Sequence, residues 1–241
     1  MLLELQLQNG IIGYGEACPR TYVTGESVTD VRTDLNRIRP QLLQQPITSL
    51  LALQRKLREW TGQGIGPSTR CALELAWLDA WSKTEGISLP QLVGFHPSGT
   101  LHYSLVVPLV KPATLRRLLE KISHFQPPAL KLKVDADLSR NLRNIELLQA
   151  HFGSDIPIRV DVNGGWTLEQ ALKLIPKLMA VGVFSFEQVV AADNIAGLKM
   201  LTETFGHEAR IMADESLLNL EQAAYFLENG VCNHFNLKIS K

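Results

Sequence analysis

Apolar positions along this chain follow two rhythms in succession. Residues 2–8 alternate apolar and polar, Asn9-Gly10 offers a tight-turn pair, and residues 11–16 resume an extended pattern, which predicts a β-hairpin. A loop rich in Pro, Thr and Gly covers 18–27. Helical spacing then predicts helices over 28–38, 49–59 and 68–85, the last with Ser68 as its cap and Cys71, Leu75, Leu78 and Trp81 on one stripe. From about residue 100 the rhythm becomes strand–helix alternation. Strands are expected over 102–107, 129–134, 156–163, 183–187, 210–214 and 234–239, and helices beginning near Thr114, Ser139, Thr167, Asn194 and Asn219. Thr167 with Gln170, and Asn219 with Gln222, have the spacing of capping boxes. Gly153, Gly182, Gly206 and Gly230 stand just past helical patterns, where a left-handed residue is expected. The chain therefore reads as an α+β unit over 1–98 followed by an α/β unit over 99–241. Six parallel strands with short connections suit either a barrel or an open doubly wound sheet.

Composition narrows the function classes. With 241 residues and 45% hydrophobic content the chain can bury a substantial core. Its 24 basic and 24 acidic residues cancel, so bulk charge gives no reason to expect a nucleic-acid partner. Cys18, Cys71 and Cys232 are far apart and odd in number, which fits reduced thiols better than a disulfide framework or a zinc cluster. The first residues carry a charge early, unlike a signal peptide, and no apolar run approaches the roughly 20 residues that span a bilayer. A soluble cytoplasmic protein is expected, with no membrane partner. The glycines between Gly62 and Gly66 follow no strand and read as a connection, not a phosphate loop.

Chemistry gathers at the strand ends. Lys131 and Lys133 lie two apart on an apolar strand and so leave the same face, where each disfavours the other's charge; a lysine pulled toward neutrality can act as a general base. Asp161, Glu187 and Asp214 end three successive strands. Any one of them could simply favour the start of the following helix. As a set they would repel unless a cation joined them, and oxygen ligands of this number point to Mg²⁺. Lys238 closes the constellation from the last strand, with Asn236 on its face as Asn163 shares the face of Asp161. Lys241, spaced beyond that strand, is the competing lysine.

These segments together resemble the enolase superfamily, in its muconate-lactonizing-enzyme subgroup, and among its members the dipeptide epimerases. Lys131-Leu-Lys133 resembles the subgroup's K-x-K motif. Val-Asp161-Val-Asn163-Gly-Gly-Trp166, Phe-Glu187-Gln, Ala-Asp214-Glu215-Ser and Asn236-Leu-Lys238-Ile-Ser-Lys241 resemble its metal and second-lysine motifs. Gly13-Tyr14-Gly15-Glu16-Ala17 and Val23-Thr24-Gly25-Glu26-Ser27 are similar to its capping domain. The resemblance implies a modified TIM barrel of the (β/α)₇β type under an α+β cap. It implies Mg²⁺ on Asp161, Glu187 and Asp214, acid–base catalysis by Lys133 and Lys238, and substrate contacts from Lys131 and Ser104. Asn163, Glu215 and Asn236 would support these groups.

The implied activity is an epimerase or racemase that removes the proton α to a carboxylate on a small-molecule substrate, a dipeptide or N-acyl amino acid. Against the family pattern the sequence reads as truncated at both ends, with the barrel stopping after six strands. An o-succinylbenzoate synthase or muconate cycloisomerase of the same subgroup, or an inactive remnant, are the alternatives. Homo-oligomerisation is left open.

Overall fold

In the computed structural model, which describes residues 1–95 and 99–239, the alternating N-terminal segment folds as β1 (Leu2–Gln6) and β2 (Ile12–Glu16). They pair antiparallel from Leu2↔Glu16 to Gln6↔Ile12. Gly10, at φ 83°, supplies the left-handed residue the turn needs. Helix α1 (Val28–Gln44) starts at a capping box made by Ser27 and Asp30. It runs past the expected end at residue 38 and through Pro40, with Ile38 buried and Leu42 packed in the same cluster. Core packing here outweighs the one hydrogen bond a proline removes. Helix α2 (Leu50–Gly62) is capped by Ser49. Helix α3 (Pro67–Glu85) is capped by Gly66, not by Ser68. The Ser68 amide is instead taken by the buried Glu26 carboxylate, and the Gly66 amide by Asp34. Asp and Glu from α1 and the loop before it thus satisfy the free donors of α3. A short helix, α4 (Leu89–Leu92), follows.

Two compact units divide the chain: one spans Met1–Gly99 and takes in the chain from Lys238, and the other spans Thr100–Leu237. The second is built on β3 (Ser104–Val107), β4 (Ala129–Lys133), β5 (Ile158–Asp161), β6 (Ser185–Glu187), β7 (Arg210–Ala213) and β8 (His234–Phe235). Between successive strands run α5 (Pro112–Lys121), α6 (Leu138–Phe152), α7 (Leu168–Met179), α8 (Ile195–Phe205) and α9 (Leu220–Asn229). The six strands are parallel and hydrogen-bond in strict chain order, β3 to β8. A doubly wound sheet reverses its order once; right-handed crossovers between sequential neighbours repeat one step, as in a TIM-type barrel. The topology settles the alternative that periodicity left open. The last strand is shorter than the expected 234–239 and ends at Phe235, although the Asn236 amide still donates to Ala213 O at 2.9 Å.

The core of this unit lies between the strands and their helices, with Leu130, Leu132, Val160, Phe186 and Ile211 wholly buried. Thr167 and Gln170 form the expected capping box; Asn219 caps α9, but Gln222 turns its side-chain oxygen to the Leu218 amide. Gly153, Gly182 and Gly230 have positive φ. Gly206 does not, at φ −65°. Its glycine answers a different need, because a Cβ there would stand 2.4 Å from Thr202 O. All three cysteines are free, Cys18 exposed and the other two buried, and burial pushes the Cys71 and Cys232 thiols up. Among the described residues no helix is long and apolar enough to cross a membrane.

Candidate active site

Alternation along each strand sends neighbouring side chains to opposite faces. On β4, Leu130 and Leu132 are wholly buried in the helix-covered core, so Lys131 and Lys133 emerge on the other face. Register then sets their neighbours: Lys131 lies beside Arg159, and Lys133 beside Asp161, which in turn lies beside Glu187. Asp161 ends β5, Glu187 ends β6 and Asp214 follows β7. Their relative exposures are 1%, 0% and 3%, far below what an unpartnered carboxylate tolerates. None of them caps a helix: Thr167, Asn194 and Asn219 do that in α7, α8 and α9.

The three carboxylates share their partners. Lys131 Nζ stands 2.9 Å from Asp161 Oδ2 and 2.7 Å from Glu187 Oε1. Asn236 Nδ2 donates to Glu187 Oε1 at 2.6 Å and to Asp214 Oδ2 at 3.0 Å. Lys133 Nζ reaches Asp161 Oδ2 at 3.3 Å and also donates to Asn163 Oδ1. Asn163 adopts the left-handed region at φ 49°, a conformation asparagine tolerates, and its amide passes to Glu215 Oε1 at 3.0 Å. Asp161, Glu187, Asp214, Lys131, Lys133, Asn163, Glu215 and Asn236 therefore form one connected network.

Electrostatics corrects one expectation. The paired lysines were expected to push each other toward neutrality. For Lys131, burial does favour the neutral amine, but hydrogen bonds and charges from Glu187 and Asp161 outweigh it and raise its pKa. Burial raises the Glu187 pKa, opposed by Lys131 and reinforced by Asp214 and Asp161.

Ser104 was expected as a substrate contact. It opens β3, opposite Ala129 at the start of β4, whereas the network sits at the other end of the strands. The strand starts at Ser104 and ends at Val107, so position 104 is not a carboxyl-terminal one. Lys238 belongs by its contacts to the first unit, where it lines a cavity of about 100 Å³ with Cys18, Arg20, Val23 and Thr24. The second unit by itself thus supplies one of the two lysines. Lys241 lies outside the described residues.

Two residues that strand-end reasoning missed belong to the network. Gln188, fully buried at φ 40°, accepts from the Asp214 and Ser216 amides at 2.9 and 3.0 Å and so ties the end of β6 to the turn after β7. Arg159 places Nε 3.1 Å from Glu187 Oε2. An arginine two positions before Asp161 shares its strand face, and that spacing was the available signal.

The donor set fits a hard divalent cation. Its acidic groups are all oxygen donors, they are buried, and Glu187 Oε2 accepts no hydrogen bond. Among the described residues no three acidic, imidazole or thiol groups are already spaced around one point. The Lys131 ammonium stands between Asp161 and Glu187 and compensates both charges.

Residues 114–241 match the family described as Enolase C-terminal domain-like. The L-Ala-D/L-Glu epimerase of Bacillus subtilis (strain 168) is 27% identical over 245 residues, covering 100% of this chain and 66% of that protein. The solved substrate-liganded complex of the L-Ala-D/L-Glu epimerase from Bacillus subtilis superposes with a TM-score of 0.86 at 26% identity, over 99% of this chain and 66% of the other. A dipeptide epimerase from Methylococcus capsulatus, solved with Mg and the dipeptide L-Arg-D-Lys, gives a TM-score of 0.86 at 24% identity. It covers 100% of this chain and 67% of its own. The chain thus spans 66% of the length of the curated relative it matches.

Proposed function

Because the chain belongs to the Enolase C-terminal domain-like family, we propose that it carries the metal and proton-transfer site of an Mg²⁺-dependent epimerase or racemase. The substrate is a dipeptide or N-acyl amino acid, and the bond broken is the C–H α to its carboxylate. The observation that carries this reading is the buried trio Asp161, Glu187 and Asp214 with Lys133 beside it. Asp161, Glu187 and Asp214 would hold the ion. When bound, Mg²⁺ supplies Lewis-acid stabilisation of the negative charge that grows on the substrate carboxylate as the α-proton leaves.

Lys133 in its neutral form accepts the α-proton. Its position beside Asp161 and Asn163 fixes the direction of its amine. Asn163, backed by Glu215, limits where that amine can swing. Lys131, beside Asp161 and Glu187, would turn its charge to the substrate carboxylate. Lys238 returns a proton to the opposite face of the α-carbon, which inverts the centre. The choice of a dipeptide rests on the similarity to the L-Ala-D/L-Glu epimerase of Bacillus subtilis.

Two measurements test this on the chain as it is. Mg²⁺ should raise the melting temperature of the unaltered protein by binding its native state, and Asp161→Asn, Glu187→Gln and Asp214→Asn should each remove the rise. In D₂O, α-proton exchange followed by proton NMR should disappear in Lys133→Ala for one Glu epimer of an L-Ala-Glu dipeptide, while Lys238 can still exchange the other. A Mg²⁺-dependent rise that survives all three carboxylate changes, or exchange of both epimers that survives loss of Lys133, sinks the proposal.

A further inference from the structure

We infer that Arg159 is the positioning residue of Glu187, an assignment that rests on the proposed metal site. Glu187 is wholly buried, and its two oxygens are treated differently. Oε1 takes Lys131 Nζ at 2.7 Å and Asn236 Nδ2 at 2.6 Å. Oε2 accepts no hydrogen bond and faces Arg159 Nε at 3.1 Å, an ion pair whose N–H is not aimed along the line of contact. The guanidinium also donates from Nη1 to the sulfur of Met212, the register neighbour of Glu187, at 3.8 Å.

Two cations therefore flank one carboxylate, and their geometry gives them different fates. Lys131 contacts both Asp161 and Glu187, two of the groups that would hold the ion. A divalent ion held by those groups would repel an ammonium, and a flexible four-carbon stem would let the ammonium leave. Arg159 meets Glu187 from an adjoining strand, and its Nη1 also donates to the Met212 sulfur. It keeps Glu187 oriented in both states. Supporting groups of this kind set the affinity of a metal site by fixing where a ligand points, and losing one costs about 10–100-fold in affinity.

Charge and orientation predict opposite signs, which makes the inference decidable. Were Arg159 a spectator charge, removing it would leave Mg²⁺ binding unchanged or make it tighter, because a competing positive charge is gone. As a positioning residue its removal loosens binding. The experiment is isothermal titration of Mg²⁺ into the unaltered chain, Arg159→Met and Arg159→Lys, each confirmed folded by circular dichroism. Arg159→Met should bind Mg²⁺ about 10–100-fold more weakly, and Arg159→Lys should recover part of the loss. If the Met variant does not fold, Arg159→Gln, which keeps a donor and loses the charge and the fork, takes its place with the same two outcomes. A folded neutral variant that binds Mg²⁺ as tightly as the unaltered chain, or more tightly, overturns the role of Arg159 alone. Failure of the unaltered chain to bind Mg²⁺ overturns the proposed function and this inference with it.

Discussion

Lys131 carries the clearest consequence at the scale of a single residue. Its side chain is 15% exposed and it compensates two carboxylates that are essentially dry. Removing one partner of a buried ion pair leaves charge without compensation and costs about 3 kcal/mol or more. The low end of that range applies here, because Asp161 keeps Lys133 and Glu187 keeps Arg159. Lys131→Met should therefore lower the melting temperature of metal-free protein. It should also enlarge the stabilisation that Mg²⁺ confers, since the internal competitor for Asp161 and Glu187 is gone. Thermal unfolding with and without Mg²⁺ measures both, and a metal-free melting temperature equal to that of the unaltered chain would contradict the compensating role.

Elements in the first unit meet through glycine. Strand β2 lies on α3 so closely that a Cβ at Gly15 would stand 1.9 Å from Ala72 O, and one at Gly13 would stand 2.0 Å from Ala76 O. Helix α3 answers with Ala72, Ala76 and Ala80, all fully buried, at helical spacing on the facing stripe. It is buried nearly all round, between the hairpin and α1 and α2, which is why its apolar residues are not confined to one face. Backbone cannot yield as a flexible side chain does. Gly15→Ala should then destabilise the first unit by about 1–3 kcal/mol or more, as overpacking does. Urea unfolding followed through Trp60 and Trp77, both buried in this unit, reports it. An unchanged midpoint would mean that the strand can lift away from the helix at no cost.

At the scale of the whole molecule, the two units keep separate cores. The large cluster from Val107 to Cys232 lies wholly in the second, and the clusters around Trp60, Val31 and Trp77 in the first. Every proposed Mg²⁺ ligand is in the second unit. Mg²⁺ should accordingly slow amide hydrogen exchange in β4 to β7 and leave β1 and β2 little changed, because a ligand stabilises the unit that binds it. Hydrogen–deuterium exchange read by mass spectrometry resolves the two regions. Equal protection of both would show that they open as one cooperative body.

Periodicity alone determined the hairpin, the main helices and the six strands of the alternating region, because burial of one face forces a spacing of two or 3.6 on the chain. It also marked Asp161, Glu187 and Asp214, since acidic residues that end apolar strands need a reason beyond solubility. What it could not supply was partnership. The raised pKa of Lys131 comes from Glu187, 56 residues away, and depends on strand register, which no local pattern encodes. An arginine in a strand looks the same from its neighbours in sequence whether it meets water or a buried carboxylate, so Arg159 passed unnoticed. Gly206 proved to relieve a close approach instead of supplying a left-handed turn, because what a Cβ would meet there is Thr202 O, a contact through space. Sequence fixes which face a side chain takes, through the geometry of a single element. Only the tertiary structure decides what that side chain meets there, because charges and hydrogen bonds act through space between elements that are distant along the chain.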